Sequence, residues 1–320
     1  MKKNFSLSGM PDFNPLQIKK RDYIISVIKE KFNSFGFESI TTSLIEKRDN
    51  LFGSYGVEGD KLIYQILRSG DYLKKINIDL QKINYNELSE NICDKALRYD
   101  LTVPFARFIA SNQSEINFPF KRYEIGSVFR ADRPQKGRFR QFTQCDADII
   151  GSKSLWLEIE LINLINSILK KLQLNDLIIK INNRKILEGV FESFSSNLAF
   201  SDFCIIIDKI DKIGLQEVSQ LLLQNGFTNQ DTDFICNLFT LQGSFVKKKE
   251  YIISKLELNS NLEQGFNELS FIFDKISKIS TKKNIEIDFS LARGLDYYTG
   301  TIFELVSLDF SGSLAGGGRY

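Results

Sequence analysis

The sequence predicts an α+β fold, and three observations carry that prediction. Two long stretches of alternating polarity, Phe120 to Arg130 and Phe139 to Ile150, flank a short polar loop, as an antiparallel hairpin does. Stretches of helical periodicity lie on both sides of the hairpin and between later strand-like runs. There is no Walker A sequence, and no G-x-G-x-x-G opens a βαβ unit, so a doubly wound nucleotide-binding sheet is not suggested and any use of ATP must employ another architecture.

The elements follow in order. Asn14-Pro15 opens a helix: Asn caps its first turn and Pro fits just inside it. Ile24, Val27, Ile28, Phe32 and Phe35 recur at helical spacing, and Gly36 is a natural stop. A strand is expected over Phe37–Leu44. Ala96–Ala110 reads as a strand turning into a helix, with Pro104 near the helix start. On the extended part Arg98, Asp100 and Thr102 share a face. In the hairpin, Pro134 and Gly137 mark the turn. On its second strand Gln144, Asp146 and Asp148 point one way, while Thr143, Cys145, Ala147 and Ile149 point the other. A helix is expected over Ser154–Leu172 and a strand over Leu177–Ile181. Patterns rich in Leu, Ile, Phe, Lys and Asn then run to about Ser280, as a mostly helical insertion. Ile285, Ile287, Phe289 and Leu291 alternate as a strand, a second strand covers Thr301–Leu308, and the run Gly316-Gly317-Gly318 exposes backbone.

Bulk properties narrow the function. The chain has 320 residues, 42% hydrophobic and 26% charged, as in a soluble globular protein of one large domain or two modest ones. A net charge of +2 does not itself imply nucleic-acid binding, so any such reading rests on local clusters. Cys93, Cys145, Cys204 and Cys236 lack zinc-ligand or redox spacing and read as inert thiols in a reducing compartment. The absence of histidine removes Ser-His-Asp and Cys-His nucleophilic chemistry and every histidine-based metal site. No apolar secretion region follows Met1-Lys2-Lys3 and no apolar run is long enough to span a membrane, so a cytoplasmic location is expected.

Two segments read as sites. From Lys121 to Arg140 seven basic residues (Lys121, Arg122, Arg130, Arg133, Lys136, Arg138, Arg140) face only Glu124 and Asp132. Clustered guanidinium groups repel unless an anion is shared among them, and ATP phosphates or the end of an RNA strand are natural candidates. The run Arg293-Gly294-Leu295-Asp296-Tyr297-Tyr298-Thr299-Gly300-Thr301-Ile302 combines a permanent cation, a turn, a carboxylate and paired phenols. Arg grips a carboxylate or phosphate with two parallel hydrogen bonds, and paired hydroxyls can orient a polar substrate.

Both segments resemble histidyl-tRNA synthetases nearly letter for letter. The string from Phe120 through Asp148 is similar to that family's motif 2, and Arg293–Ile302 to its histidine-specific signature. The first helix and strand look like class II motif 1, which builds the dimer interface in the family; Ser43 stands where the family usually has Pro. Gly9-Met10-Pro11-Asp12 departs from the family's Gly-Thr-Arg/Gln-Asp. Lys180-Ile181-Asn182-Asn183-Arg184 also looks familial.

The resemblance implies a class II synthetase-type antiparallel sheet flanked by helices, with a mostly helical inserted domain. The division is a first catalytic part (1–181), the helical insertion (182–280) and a second catalytic part (281–320). It also implies a two-step ligation. Histidine attacks the α-phosphate of ATP, accompanied by Mg2+, to give an adenylate, and the terminal ribose hydroxyl of tRNA then takes the histidyl group. Arg130 and Arg293 would grip the α-phosphate from opposite sides. Asp132, Arg138 and Phe139 would contact ATP. Asp100, Thr102 and Gln144 would hold the α-amino group, Asp148 and Tyr298 would read the imidazole, and Tyr297 would close the pocket wall, with Arg293 beside it. Arg133, Gln135 and Lys136 would meet the tRNA acceptor end. No resident metal is implied. Motif 3 and an anticodon-binding domain follow the glycine run in the family, so a chain ending at Tyr320 is expected to be cut short of both. The alternative is a synthetase-like regulatory subunit of ATP phosphoribosyltransferase, which would sense histidine without ligating it. The intact motif 2 and Arg293 loop weigh against it.

Overall fold

A computed structural model describes residues 6–73, 85–135, 137–279, 285–294, 297–307 and 312–320. The chain divides into two units, Met1–Lys153 and Ser154–Tyr320.

In the first unit the sequence signals at Asn14 are realised as a reciprocal cap on α1 (Pro15–Ser34): Asn14 accepts from the Gln17 N–H (3.0 Å) and Gln17 accepts from the Asn14 N–H (2.9 Å). Of the expected apolar stripe, Val27 and Phe32 are buried, and Phe32 packs on Tyr123 with ring centroids 5.1 Å apart. Ile24 is exposed. Gly36 ends the helix with a φ of +78°, a conformation costly for any side chain.

The strand expected over Phe37–Leu44 is much shorter. Only β1 (Glu38–Ser39) pairs, in parallel, with β5 (Phe120–Phe129). The chain then turns inward because Thr42 gives its N–H (3.0 Å) and hydroxyl (2.9 Å) to the buried carboxylate of Glu124. The hairpin is as expected: β5 runs antiparallel to β6 (Gln141–Ile150) from Phe120↔Ile150 to Phe129↔Gln141. Arg122, Glu124 and Gly126 therefore stand opposite Asp148, Asp146 and Gln144.

A second small sheet was not anticipated. It has the order β2 (Ile45–Lys47), β4 (Cys93–Leu97), β3 (Gln65–Leu67). The helices α2 (Arg48–Leu51), α3 (Gly56–Asp60) and α4 (Tyr85–Ile92) lie among its strands in sequence. Leu51, Tyr55, Ile63, Ala96 and Tyr99 form its core. The strand ends at Leu97 and α5 (Thr102–Asn112) begins at Thr102, so Arg98, Asp100 and Thr102 do not share one extended face. Arg98 turns instead to Glu124, 2.7 Å away, in a buried ion pair.

In the second unit α6 (Trp156–Lys171) leads to a sheet ordered β10 (Ser313–Gly318), β9 (Thr301–Ser307), β7 (Leu177–Asn183), β8 (Ile285–Ile287). β7 and β8 are parallel and the other pairs antiparallel. β7 runs two residues past the expected Ile181, and the backbone-exposing glycine run forms an edge strand. The strand expected to reach Leu291 stops at Ile287, since Asp288 folds back to accept from the N–H (2.9 Å) and hydroxyl of Ser290. Leu308 lies outside the described residues.

Helices dominate from Arg184 onward: α7 (Arg184–Glu192), α8 (Phe200–Ile207), α9 (Ile210–Ile213), α10 (Leu215–Gln224), α11 (Asn229–Thr240), α12 (Phe245–Ile253) and α13 (Ser260–Ile279). Their apolar faces and the sheet share one core that includes Ile162, Ile181, Ile186, Phe203, Phe266 and Phe303. Burying each such side chain contributes about 1.5–3 kcal/mol.

Candidate active site

The hairpin residues separate into two classes. Arg122, counted above among clustered cations awaiting an anion, is fully buried inside the sheet. It forms an ion pair with its cross-strand partner Asp148, donates to the Leu101 carbonyl (3.1 Å) and lies over the Phe105 ring. Its charge is committed to the protein, and the shared-anion argument does not extend to it. Its Nε and Nη1 nonetheless have no hydrogen-bond partner.

Arg130 leaves the end of β5 half-buried. Its Nε donates to the Tyr99 carbonyl (3.1 Å), and the guanidinium carbon lies 4.3 Å from the Tyr99 ring centroid and 5.2 Å from that of Phe142. Two aromatic faces and one carbonyl fix the direction of this cation. Arg138 lies 3.6 Å from Asp132, whose carbonyl accepts from Arg140 Nε (3.0 Å). Phe139 is exposed, as are Arg133 and Gln135. Gln135 and Arg138 bridge the hairpin tip, where Gly137 has a φ of +77°. Lys136 lies outside the described residues.

A second cluster gathers acids on the same sheet face. Asp100 is buried; its Oδ1 accepts from the Tyr55 hydroxyl (2.8 Å) and the Val103 N–H (3.1 Å), at the start of the helix opened by half-buried Thr102. Burial pushes its carboxyl up, and those hydrogen bonds pull it back. Gln144 Oε1 is buried with no hydrogen-bond partner. Asp146, between Gln144 and Asp148, is pushed up to about 7 by burial and then by the neighbouring charge of Asp148, against Arg122. Sequence reasoning put Asp146 on the right face but gave it no role. Its place in the two-residue period from Gln144 to Asp148 was the available signal. On the opposite face Cys145 is pushed up to about 11 by burial, which keeps its thiol protonated and unreactive.

In the second unit Arg293 has a φ of +55°, the left-handed region that a non-glycine residue adopts only when its surroundings hold it there. The holding groups are visible. Arg184 Nη1 donates to the carbonyls of Ala292 (3.1 Å) and Arg293 (3.3 Å), and Asn182 Nδ2 donates to those of Phe289 (3.3 Å) and Leu291 (2.9 Å). The string Lys180–Arg184 thus clamps the backbone of the Arg293 loop. The guanidinium pairs with Glu304 (3.3 Å). Burial works against its charge, but Tyr298, Glu304 and Tyr297 more than compensate and raise its pKa. Tyr298 is buried and packs on Tyr297 at 4.7 Å between centroids. Leu295 and Asp296 lie outside the described residues. Among the described residues no group of three or more Cys, Asp or Glu is placed to hold a metal ion.

The structure therefore brings Arg293, Tyr297 and Tyr298 together in one unit. It places Asp100, Thr102, Arg130, Asp132, Arg138, Phe139, Gln144 and Asp148 in the other. A profile described as "Histidyl-tRNA synthetase" matches residues 94–320, a span that includes both groups. The histidine--tRNA ligase of Christiangramia forsetii is 46% identical over 316 residues, covering 98% of this chain and 69% of the relative.

The chain belongs to the histidyl-tRNA synthetase family.

By that membership it is an aminoacyl-tRNA synthetase, a ligase with the class II α+β fold. A solved histidyl-tRNA synthetase from a Nostoc species matches 100% of this synthetase and 69% of its own chain, with TM-score 0.78 and 31% identity. A Bacillus halodurans structure titled as an ATP phosphoribosyltransferase regulatory subunit/histidyl-tRNA synthetase matches with TM-score 0.78 over 99% of this chain and 76% of its own. At 20% identity that likeness is one of fold alone. No helix among the described residues of this synthetase is long and apolar enough to cross a membrane.

Proposed function

We propose that this synthetase activates histidine with ATP and passes it to its tRNA. A carboxylate oxygen of histidine attacks the α-phosphorus, the bond to the β-phosphate breaks, and pyrophosphate leaves. The terminal ribose hydroxyl of the tRNA then attacks the carbonyl carbon, and AMP departs. Mg2+ enters with the nucleotide as part of the substrate. The relative's name as a histidine--tRNA ligase supports the overall reaction, and the regulatory-subunit alternative is not favoured.

Histidine brings an ammonium and an imidazole into the pocket. The observation that carries the amino-group assignment is Gln144 Oε1, a buried acceptor without a donor. A buried acceptor left unmatched costs about 1–3 kcal/mol, which a ligand ammonium recovers. Asp100 and Thr102 complete that grip. Asp148, oriented by Arg122, and Tyr298 address the two imidazole nitrogens, while Tyr297 walls the pocket. Arg130 and Arg293 both supply positive charge to the α-phosphate, where negative charge builds in the transition state. Asp132, Arg138 and exposed Phe139 take the rest of ATP, with the Phe139 ring available to adenine. Arg133, Gln135 and Lys136 meet the acceptor end of the tRNA; phosphate contacts by the two cations would be salt-sensitive and blind to sequence.

Further readings belong to the same proposal. The catalytic parts are 1–181 and 281–320 and the helical insertion is 182–280. The protein works in the cytoplasm as a homodimer, a reading supported by the exposed Leu16, Tyr23 and Ile24 on α1.

The test is histidine-dependent ATP–pyrophosphate exchange together with ligand affinities. Arg293→Ala abolishes exchange while sparing part of histidine binding, and wild-type exchange in that variant removes Arg293 from the mechanism. Asp148→Asn weakens histidine far more than ATP; equal losses would falsify its role as a reader.

A further inference from the structure

The run from Arg293 to Gly300 is fastened at both of its ends by one residue. Arg184, the first residue of α7, is 5% exposed. Its Nη1 donates to the carbonyls of Ala292 (3.1 Å) and Arg293 (3.3 Å), and its own backbone N–H donates to the Gly300 carbonyl (2.9 Å). The two side-chain acceptors flank a single Cα. The Ala292 carbonyl belongs to the peptide before Arg293 and reports its φ; the Arg293 carbonyl belongs to the peptide after it and reports its ψ. On an extended chain successive carbonyls point to opposite sides, and one nitrogen could not take both. A shared donor therefore selects a helical-type backbone at Arg293, in keeping with its φ of +55°. The anchor is itself held. The Arg184 guanidinium carbon lies 4.9 Å from the Phe200 ring centroid. Asn183 caps α7 by accepting the Lys185 N–H (3.0 Å) and donates to Glu268 on α13 (2.6 Å). Burying a cation is costly, and the side-chain hydrogen bonds of this one go to peptide carbonyls.

We propose that Arg184 is a positioning residue for Arg293: by donating to the carbonyls on either side of it, Arg184 holds the left-handed backbone from which the catalytic guanidinium points. It acts through the loop backbone and not on the substrate. A non-glycine residue in this region relaxes when its restraints are cut. Without Arg184 the peptides around Arg293 turn, and the guanidinium leaves its place beside Glu304 and drifts from the phosphate. A displacement of about 1 Å in a catalytic group costs about 100-fold in rate.

The inference rests on the reading of Arg293 as the arginine that handles the α-phosphate, and the experiment separates the two. Pyrophosphate exchange and Tm are measured on the full chain for Arg184→Met, Arg184→Lys, Val190→Ala and Arg293→Ala. Arg184→Met keeps an apolar stem and loses the donors; it should lower kcat about 100-fold with KM for histidine within about threefold. Arg184→Lys keeps a donor and should recover at least about tenfold of that loss. Val190, buried on the same helix, reports packing alone. Val190→Ala should lower Tm and leave kcat within about threefold. If Arg184→Met does not fold, Arg184→Gln takes its place, with a shorter reach and the same split between kcat and KM expected. A wild-type kcat in Arg184→Met, or in Arg184→Gln where it is the substitute, beside an inactive Arg293→Ala overturns the inference alone. So does an Arg184→Lys as slow as Arg184→Met, or a Val190→Ala that loses as much kcat. Wild-type exchange in Arg293→Ala overturns the catalytic reading and the inference together.

Discussion

Replacing Asp146 with Asn should change how stability depends on pH. In the folded chain the Asp146 carboxyl is pushed from its ordinary 3.8 up to about 7, first by burial and then by Asp148. Between those values the folded state binds a proton that the unfolded chain has released. Stability therefore falls as pH rises through that window, and the penalty is complete above about pH 7. A displacement of about three pH units, at about 1.4 kcal/mol each, sets a ceiling of about 4 kcal/mol. Relaxation and water entry around a sheet-face carboxyl bring the expected effect to about 1–3 kcal/mol. Asn has nearly the same shape and cannot ionise. Urea unfolding followed by far-UV circular dichroism at pH 5 and pH 8 measures the difference. The variant should be the more stable at both values, and its advantage should be larger at pH 8 than at pH 5, where roughly a third of the window has already been crossed. Identical pH slopes in the two proteins would refute the account of Asp146.

Two substitutions test the buried ion pairs. Gly126→Ala places a Cβ 2.1 Å from Arg98 Nη2, a side chain pinned by Glu124 (2.7 Å), the Thr42 carbonyl (3.1 Å) and the Ser127 carbonyl (2.8 Å). Breaking that pair costs about 3–5 kcal/mol, so an unchanged Tm would contradict the described packing. Arg319→Ala removes two bonds, of 2.6 and 2.7 Å, to the buried carboxylate of Glu158 and should cost about 1–3 kcal/mol in urea unfolding. Adding Glu158→Gln should return part of that loss, because the stranded charge is gone; no recovery would mean that Arg319 acts through packing alone.

Local chemistry was legible in the sequence, and partner choice was not. Asn14-Pro15 foretold a capped helix because the cap is satisfied within four residues. The hairpin was legible because its alternation persists over ten residues on each strand. The strands of the β2–β4–β3 sheet are only three to five residues long and show no such period. An arginine in sequence does not reveal whether its anion is a ligand or a distant carboxylate. Arg130 stacks on aromatic rings, whereas Arg122 and Arg98 are consumed by Asp148 and Glu124, each 26 positions along the chain. The shortening of β1 has the same origin, since Thr42 abandons the strand for Glu124. The glycine run gave no sign of being a strand. Gly316 has no side chain because the Arg293 guanidinium lies there, a contact that only the folded chain displays. The string Lys180–Arg184 looked familial, and its purpose as the clamp on the Arg293 loop emerged from the carbonyls it bonds.

The central claim is that one phosphorus centre is served by both Arg130 and Arg293. A crystal structure of the protein with a non-hydrolysable histidyl-adenylate analogue measures this directly. Both guanidinium groups should lie within hydrogen-bonding distance of the group that replaces the α-phosphate, with Asp148 and Tyr298 on the imidazole nitrogens. An analogue bound with either arginine turned away from that group would contradict the account.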